Sequence, residues 1–197
     1  MPNIQKLPIH EAQKIAAGEV VERPANIIKE LVENSLDAGA TQITIHVQQS
    51  GKKSIRIQDN GCGMDQEDAQ LCFEHHATSK ITSVNDLHTI STFGFRGEAL
   101  SSIASVSHIT LITKQACASE GIQLILDNGT ITQQSAVPAT TGTDITIEHL
   151  FDTMPARKKF LKSKETEWRH IQQLFFALAL DYTHISFKLY SENKLLF

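Results

Sequence analysis

Apolar and polar positions near the start of the chain predict a helix followed by a β-hairpin. Between residues 24 and 38, apolar side chains recur every three or four positions, Pro24 stands where a helix would begin, and Gly39 follows its end. From 43 to 57, isoleucine and valine alternate with polar residues on either side of a Ser50-Gly51-Lys52 turn. A shorter amphipathic stretch, 11–17, precedes this unit.

The rest of the pattern predicts further helices packed on a multistranded sheet. Helices are expected over 65–75, 98–105 and 165–182, with a short basic one opening at Pro155. Strands are expected over 109–148, with a turn at Asn128-Gly129, and over 185–197. Residues 82–95 form a long connection without periodicity, and connections of that length are often functional lids.

Composition limits the class of protein. With 197 residues, 41% hydrophobic and 20% charged, the chain suits one folded domain spanning 1–197. It has no apolar run near the ~20 residues that cross a bilayer and no signal-peptide layout, which predicts an intracellular protein away from membranes. Three cysteines without Cys-x-x-Cys spacing indicate neither disulfides nor a cysteine-rich zinc site. A net charge of −4 argues against a dedicated nucleic-acid binder.

The first candidate for chemistry lies on the predicted helix 24–38. Glu30 and Asn34 stand four residues apart and share one face, and Asp37 lies a further turn along it. A carboxylate can accept a proton from water, and an amide oxygen is a hard ligand suited to Mg²⁺. A solvated polar face opposite the apolar stripe is the equally weighted alternative.

A second candidate is the turn Asp59-Asn60-Gly61-Cys62-Gly63-Met64, directly after a buried strand. Its glycines would let a ligand approach the backbone closely. The Asp59 carboxylate can accept the exocyclic amino group of adenine, whereas guanine would place a second acceptor against it. As a plain turn, the segment needs no function.

Two more segments flank the long connection. His75-His76-Ala77-Thr78-Ser79-Lys80 opens it, and Phe93-Gly94-Phe95-Arg96-Gly97-Glu98-Ala99-Leu100 closes it at a helix start. Glycines before a helix N-terminus expose N–H groups suited to phosphates. The adjacent histidines are better explained as helix-end residues than as metal ligands, because neighbours on a helix point about 100° apart.

The last candidates follow in the second half. Thr140-Thr141-Gly142-Thr143-Asp144-Ile145 enters a strand and could place the Thr143 hydroxyl against a ligand. The segment 150–161 leads into a basic helix continued by Lys162 and Lys164, a face that is ordinarily just solvated and that Glu165 and Glu167 would balance.

Taken in this order, the segments closely resemble the N-terminal ATPase region of MutL-type DNA mismatch-repair proteins, within the gyrase, Hsp90, histidine-kinase and MutL (GHKL) superfamily. The Glu-x-x-x-Asn helix, the Asp-x-Gly-x-Gly turn and the Gly-Thr strand are similar to superfamily features. Gly-Phe-Arg-Gly-Glu-Ala-Leu, Ala-Thr-Ser-Lys and Pro-Ala-Arg-Lys-Lys-Phe-Leu resemble MutL in particular. No Gly-x-x-x-x-Gly-Lys-Ser/Thr occurs, so the chain is not a P-loop enzyme.

The resemblance implies an α/β sandwich of the GHKL type, with helices on one face of a mixed, mostly antiparallel sheet. It implies Glu30 as the general base for ATP hydrolysis, Asn34 as the Mg²⁺ ligand and Asp59 as the acceptor for adenine. The remaining nucleotide contacts implied on the base side are Asp37, Ala38, Gly63, Met64, Thr78 and Thr143. Those implied on the phosphate side and lid are Ser79, Lys80, Gly94, Phe95, Arg96, Gly97, Glu98, Ala99 and Leu100.

The resemblance also implies a setting larger than this chain. The predicted strand at 195–197 ends early, which suggests a fragment, and the resemblance implies a second domain and a C-terminal dimerisation domain beyond 197. The second domain would supply a lysine to the γ-phosphate, so the chain alone is expected to bind ATP weakly and to hydrolyse it slowly or not at all.

The expected function is ATP-dependent lid ordering and N-terminal self-dimerisation. These would relay mismatch recognition by a MutS-like protein to strand-cleavage or helicase factors, in the bacterial cytoplasm. A nucleotide-gated module that binds ATP without hydrolysing it is the alternative, and DNA binding by the basic helix is a further one. A histidine kinase is disfavoured because the first motif begins within a few turns of Met1.

Overall fold

The computed structural model describes residues 21–75, 77 and 97–197. In chain order the helices are α1 (Pro24–Asp37), α2 (Gln66–Leu71), α3 (Ala99–Ser105), α4 (Pro155–Phe160) and α5 (Lys164–Asp181), with a 3₁₀ turn at Gln49–Gly51. The strands are β1 (Gln42–Gln48), β2 (Ser54–Asp59), β3 (His108–Lys114), β4 (Gly121–Asp127), β5 (Thr130–Val137), β6 (Gly142–Glu148), β7 (Ser186–Ser191) and β8 (Lys194–Leu195).

The eight strands form one mixed sheet in the order β5-β4-β3-β6-β2-β1-β7-β8. β1 and β7 are parallel, and the other neighbours are antiparallel. β6 therefore lies between β2 and β3, although more than eighty residues separate it from β2 in the sequence. This insertion brings the end of β2 beside the start of β6.

The core lies between one face of the sheet and the helices. In strands β1 and β3 every second residue is buried and those between are half-buried or exposed, so each strand presents one apolar face. Side chains such as Ile45, Ile57 and Leu111 lie at 1% exposure or less and share one buried core with Ile28 and Val32 of α1. The opposite face is polar, with Arg56 paired to Asp144 across β2 and β6. The predicted class, helices on one face of a mostly antiparallel sheet, is confirmed.

Most predicted elements are confirmed within two residues, but the helix predicted over 65–75 is too long. The observed helix, α2, begins at Gln66 and ends at Leu71, and the side chain of Asp65 caps its start by accepting the Asp68 N–H. The Glu74 N–H bonds to the Leu71 carbonyl, three residues back, so the chain turns and buries Phe73. The predicted stretches at 11–17 and 82–95 lie outside the described residues. No helix among those described is long and apolar enough to cross a membrane.

Candidate active site

The Asp59 carboxylate lies where β2 ends, facing α1, and three donors hold it. Ser35 Oγ donates to Asp59 Oδ2 at 2.8 Å, and the N–H groups of Gly61 and Thr143 donate to Oδ1 at 2.9 and 3.1 Å. The Ser35 hydroxyl also lies 3.1 Å from the Leu31 carbonyl, but its single proton is expected on the closer, charged acceptor. With about four acceptor sites on a carboxylate, one remains for a ligand.

Glycine is required at two positions around this carboxylate. Gly63 has φ +68°, and an added Cβ would lie 2.0 Å from the Lys114 carbonyl oxygen at the end of β3. Gly142 has φ +120°, and its added Cβ would lie 2.1 Å from the Asp59 carbonyl oxygen. Any side chain would therefore push the start of β6 away from Asp59. The end of α1, the end of β2 and the start of β6 thus form one corner around Asp59. Ala38 belongs to this corner, since its carbonyl accepts the Cys62 N–H at 3.0 Å.

A buried hydroxyl ties the two sides of the corner together. Thr113 on β3 is 1% exposed, and its Oγ1 accepts the Met64 N–H at 2.9 Å. The same oxygen lies 3.0 Å from the Gly142 carbonyl and 3.2 Å from Thr143 Oγ1. The turn after Gly63 and the entry to β6 are thus joined through one side chain.

Helix α1 carries the predicted polar face beside this corner. Glu30, Asn34 and Asp37 fall on consecutive turns of one helix, as predicted, and all three are half-buried. The Lys29 ammonium lies 3.9 Å from Glu30 Oε1 and 2.8 Å from a Glu33 carboxylate oxygen. Burial lowers the pKa of Lys29, but the hydrogen bond and charge of Glu33 and the charge of Glu30 outweigh it, so the net pKa is raised.

Part of the predicted lid is described. Gly97 lies beside Ala77, Glu98 precedes α3, and Ala99 and Leu100 open that helix. His75 lies beyond the end of α2, and its Nδ1 is 3.4 Å from Ser101 Oγ. The predicted residues that lie outside the described part of the chain are His76, Thr78, Ser79, Lys80, Gly94, Phe95 and Arg96.

The basic helix lies away from this corner. No residue of α4 is buried, and Phe160 is 78% exposed among Arg157, Lys158 and Lys159. Glu167 was expected to balance these charges in solvent, and this is wrong. It is 1% exposed, and its carboxylate accepts the Lys162 N–H at 2.9 Å, so it caps the approach to α5.

Sequence reasoning missed Ser35 and Thr113, the two hydroxyls that hold the corner. Both occupy positions where the apolar pattern predicts a buried side chain: Ser35 follows Leu31 by one helical turn, and Thr113 follows Ile109 and Leu111 on β3. A polar residue at an inward position must find a partner, and this signal could have singled them out.

The donor set fits a magnesium ion held together with a nucleotide. Within the described part of the chain, no group of three or more His, Cys, Asp or Glu side chains is arranged to hold a metal. Mg²⁺ in nucleotide sites needs no such group, because phosphates and waters fill most of its coordination positions. The Asn34 side-chain amide, on the helix face that carries Glu30, offers one oxygen of the hard type that such an ion takes.

Comparison with known proteins identifies the family. Residues 22–157, more than half of the chain, match the family described as histidine kinase-, DNA gyrase B-, and HSP90-like ATPase. Proteins named DNA mismatch repair protein MutL are similar over nearly all of it: that of Pelodictyon phaeoclathratiforme is 50% identical over 100% of this chain, and that of Syntrophotalea carbinolica 50% over 98%. The chain spans 32% and 31% of those relatives, about a third of their length.

Solved structures similar to this chain support the same family. The Aquifex aeolicus MutL ATPase domain complexed with ADP has 32% identity and a TM-score of 0.73, over 90% of this chain and 63% of that one. The N-terminal domain of a DNA repair protein has 29% identity and a TM-score of 0.79, over 94% of this chain and 54% of that one. The chain therefore belongs to the histidine kinase-, DNA gyrase B- and HSP90-like ATPase family, in its MutL-type branch.

Proposed function

We propose that this chain binds Mg²⁺–ATP at the corner between α1 and the β2 and β6 strands, and that it contributes the base for ATP hydrolysis in a longer mismatch-repair protein. Family membership supports ATPase activity in general. The observation that carries the assignment to this corner is the Asp59 carboxylate, held by three donors with acceptor capacity left over.

Base recognition follows from that carboxylate. Its open acceptor site takes the amino group of adenine, and guanine would put a carbonyl there and leave two acceptors facing each other. Met64 and Thr143 are assigned to the pocket wall by their contacts with Thr113 and Asp59. Gly63 is assigned there because it precedes Met64 and packs closely against the Lys114 backbone. The other residues assigned to the base side are Asp37, Ala38 and Thr78.

Hydrolysis is assigned to the face of α1. Glu30 accepts a proton from a water molecule as that water attacks the γ-phosphorus, the bond to the bridging oxygen breaks, and ADP and phosphate leave. Asn34 would hold the Mg²⁺, which neutralises charge on the phosphates. The residues assigned to the phosphates and lid are Ser79, Lys80, Gly94, Phe95, Arg96, Gly97, Glu98, Ala99 and Leu100.

The role of the longer protein is part of the same proposal. Contacts to the γ-phosphate order the lid and favour pairing of two N-terminal domains, and hydrolysis releases both. The ATP-bound state is the form that engages a MutS-like recognition protein and strand-cleavage or helicase factors. In the longer protein a second domain would supply a lysine to the γ-phosphate, so the chain alone is expected to bind ATP weakly and to hydrolyse it slowly or not at all.

Single-turnover hydrolysis by the full-length protein tests the base. Glu30→Ala is expected to slow the chemical step by about 10²- to 10⁴-fold with little change in ATP affinity. Glu33→Ala is the matched control, one position before Asn34 on the same helix and also beside Lys29. Unchanged hydrolysis in Glu30→Ala would eliminate Glu30 as the base. A full-length protein that binds ATP but never hydrolyses it would instead favour a nucleotide-gated interaction module.

A second function, DNA binding through the basic helix, is favoured by the absence of buried residues in α4 and by the 78% exposure of Phe160. Replacing Lys158, Lys159 and Lys162 with Glu is expected to weaken DNA binding. The slope of log affinity against log salt concentration should become shallower by about one for each lysine that contacts a phosphate. The control replaces three exposed lysines elsewhere, Lys53, Lys188 and Lys194, with Glu. Equal effects in the two triple variants would leave α4 as a solvated face.

A further inference from the structure

We propose that Thr113 is a positioning residue of the nucleotide site, whose hydroxyl sets the hydrogen-bonding role of Thr143 and holds the base side of the pocket together. The inference rests on the proposed ATP site.

The inward alternation of β3 does not by itself require a polar side chain at Thr113. Ile109, Leu111 and Thr113 are successive inward residues of β3, and the first two supply only hydrocarbon to the core. Valine would fill the same volume without a buried hydroxyl. A hydroxyl that is 1% exposed is tolerated because it is fully bonded, with three polar groups within 3.2 Å.

The Thr113 hydroxyl has three polar partners but only one proton to donate. Thr113 Oγ1 accepts the Met64 N–H at 2.9 Å in every arrangement, since a backbone N–H can only donate. Its own proton goes either to the Gly142 carbonyl at 3.0 Å or to Thr143 Oγ1 at 3.2 Å. The two choices have different consequences for Thr143.

When Thr113 donates to Gly142, the Thr143 hydroxyl can donate to Thr113 and presents only lone pairs to a ligand. When Thr113 donates to Thr143, the Thr143 proton is released and can be given to a ligand. Adenine carries an acceptor ring nitrogen next to its amino donor, so the second arrangement complements it while Asp59 takes the amino group. Thr143 is held in place meanwhile, because Asp59 Oδ1 accepts its N–H at 3.1 Å.

The same hydroxyl fixes the distance between two assigned walls of the pocket. Met64 follows the turn after β2, and Thr143 lies at the start of β6, and Thr113 bonds both. Replacing it with valine removes the acceptor for Met64 N–H and the partner of Thr143 Oγ1, with little change in shape. Serine keeps the hydroxyl.

The test is titration of Thr113→Val and Thr113→Ser with ATP, ADP and AMP. The control is Thr110→Val, the same change on the opposite, half-buried face of β3. Thr113→Val is expected to bind all three nucleotides about tenfold more weakly and by the same factor, because only the base side is altered. Thr113→Ser and Thr110→Val are expected to stay within about twofold of the parent. Chemical denaturation of each variant confirms that the protein titrated is folded.

Three outcomes would overturn the inference: parent-like binding by Thr113→Val, a loss confined to ATP, or an equal loss in Thr113→Ser. Failure of the proposed function gives a different result, because the parent protein would then bind none of the three nucleotides. That result would also overturn the role inferred for Thr113.

Discussion

Replacing Asp59 with Asn is the sharpest perturbation that the structure offers, because it changes one acceptor atom into a donor and leaves the shape alone. The amide oxygen can keep the place of Oδ1, which accepts two backbone N–H groups. The new NH₂ group then lies beside Ser35, which can accept from it and turn its own proton to the Leu31 carbonyl 3.1 Å away. The change in the free energy of unfolding is therefore expected to stay below about 1.5 kcal/mol.

Nucleotide binding is affected far more. The amino group of adenine loses a charge-assisted hydrogen bond worth about 1.5–3 kcal/mol and meets a second donor, which leaves a buried donor unsatisfied at about 1–3 kcal/mol. The two ranges together give about 2.5–6 kcal/mol, and a value of about 3 kcal/mol, near the lower end, corresponds to more than a hundredfold in affinity.

Calorimetric titration with ADP and with GDP, beside urea denaturation, measures both effects. The variant is expected to remain folded, to lose ADP binding by more than a hundredfold, and to narrow the gap to GDP, because the amide can donate to the guanine carbonyl. A folded Asp59→Asn protein that binds ADP within a few-fold of the parent would refute the assignment of Asp59 to adenine.

Three further results are expected. Ser35→Ala removes the 2.8 Å bond to Asp59 and should lower the free energy of unfolding by about 1.5–3 kcal/mol, so an unchanged urea midpoint would contradict that bond. Burial raises the pKa of Cys72 to about 12, so iodoacetamide at neutral pH should modify the exposed Cys62 and Cys117 first. Bound Mg²⁺–ATP should protect Cys62 alone, and mass spectrometry of the labelled protein measures both effects. The hydrogen bond from Lys158 holds the pKa of Asp152 below its ordinary value in the folded protein. The Lys158–Asp152 pair therefore stabilises the fold at pH values above the usual pKa of Asp, and this stabilisation is lost as the pH falls through the lowered pKa of Asp152. Lys158→Met should therefore cost only a few tenths of a kcal/mol at pH 7 and nothing near pH 2, by thermal melts at each pH.

Local signals predicted much of this fold. The 3.6-residue period with Pro24 at its start located α1, alternation located β1 and β2, and Asn128-Gly129 located the turn between β4 and β5. The helix over 65–75 was overextended because apolar spacing alone does not show that Phe73 turns inward after Leu71.

The arrangement of the candidate site depends on contacts that no local pattern encodes. Asp59 and Thr143 are 84 residues apart and meet because β6 inserts beside β2. Motifs marked both residues as candidates. They did not mark Ser35, which bonds Asp59, or Thr113, which bonds Thr143, because each lies inside an element whose period marks it simply as buried.

The corner around Asp59 is proposed as an adenine-selective Mg²⁺–ATP site. Its most direct test is calorimetric titration of this chain, and of the full-length protein, with a non-hydrolysable ATP analogue and Mg²⁺ beside the matching GTP analogue. We expect the ATP analogue to bind both proteins, more weakly to the chain alone, and the GTP analogue to bind at least about tenfold more weakly than the ATP analogue. Equal affinity for the two analogues, or no binding of the ATP analogue by the full-length protein, would rule out an adenine-selective ATP site at Asp59.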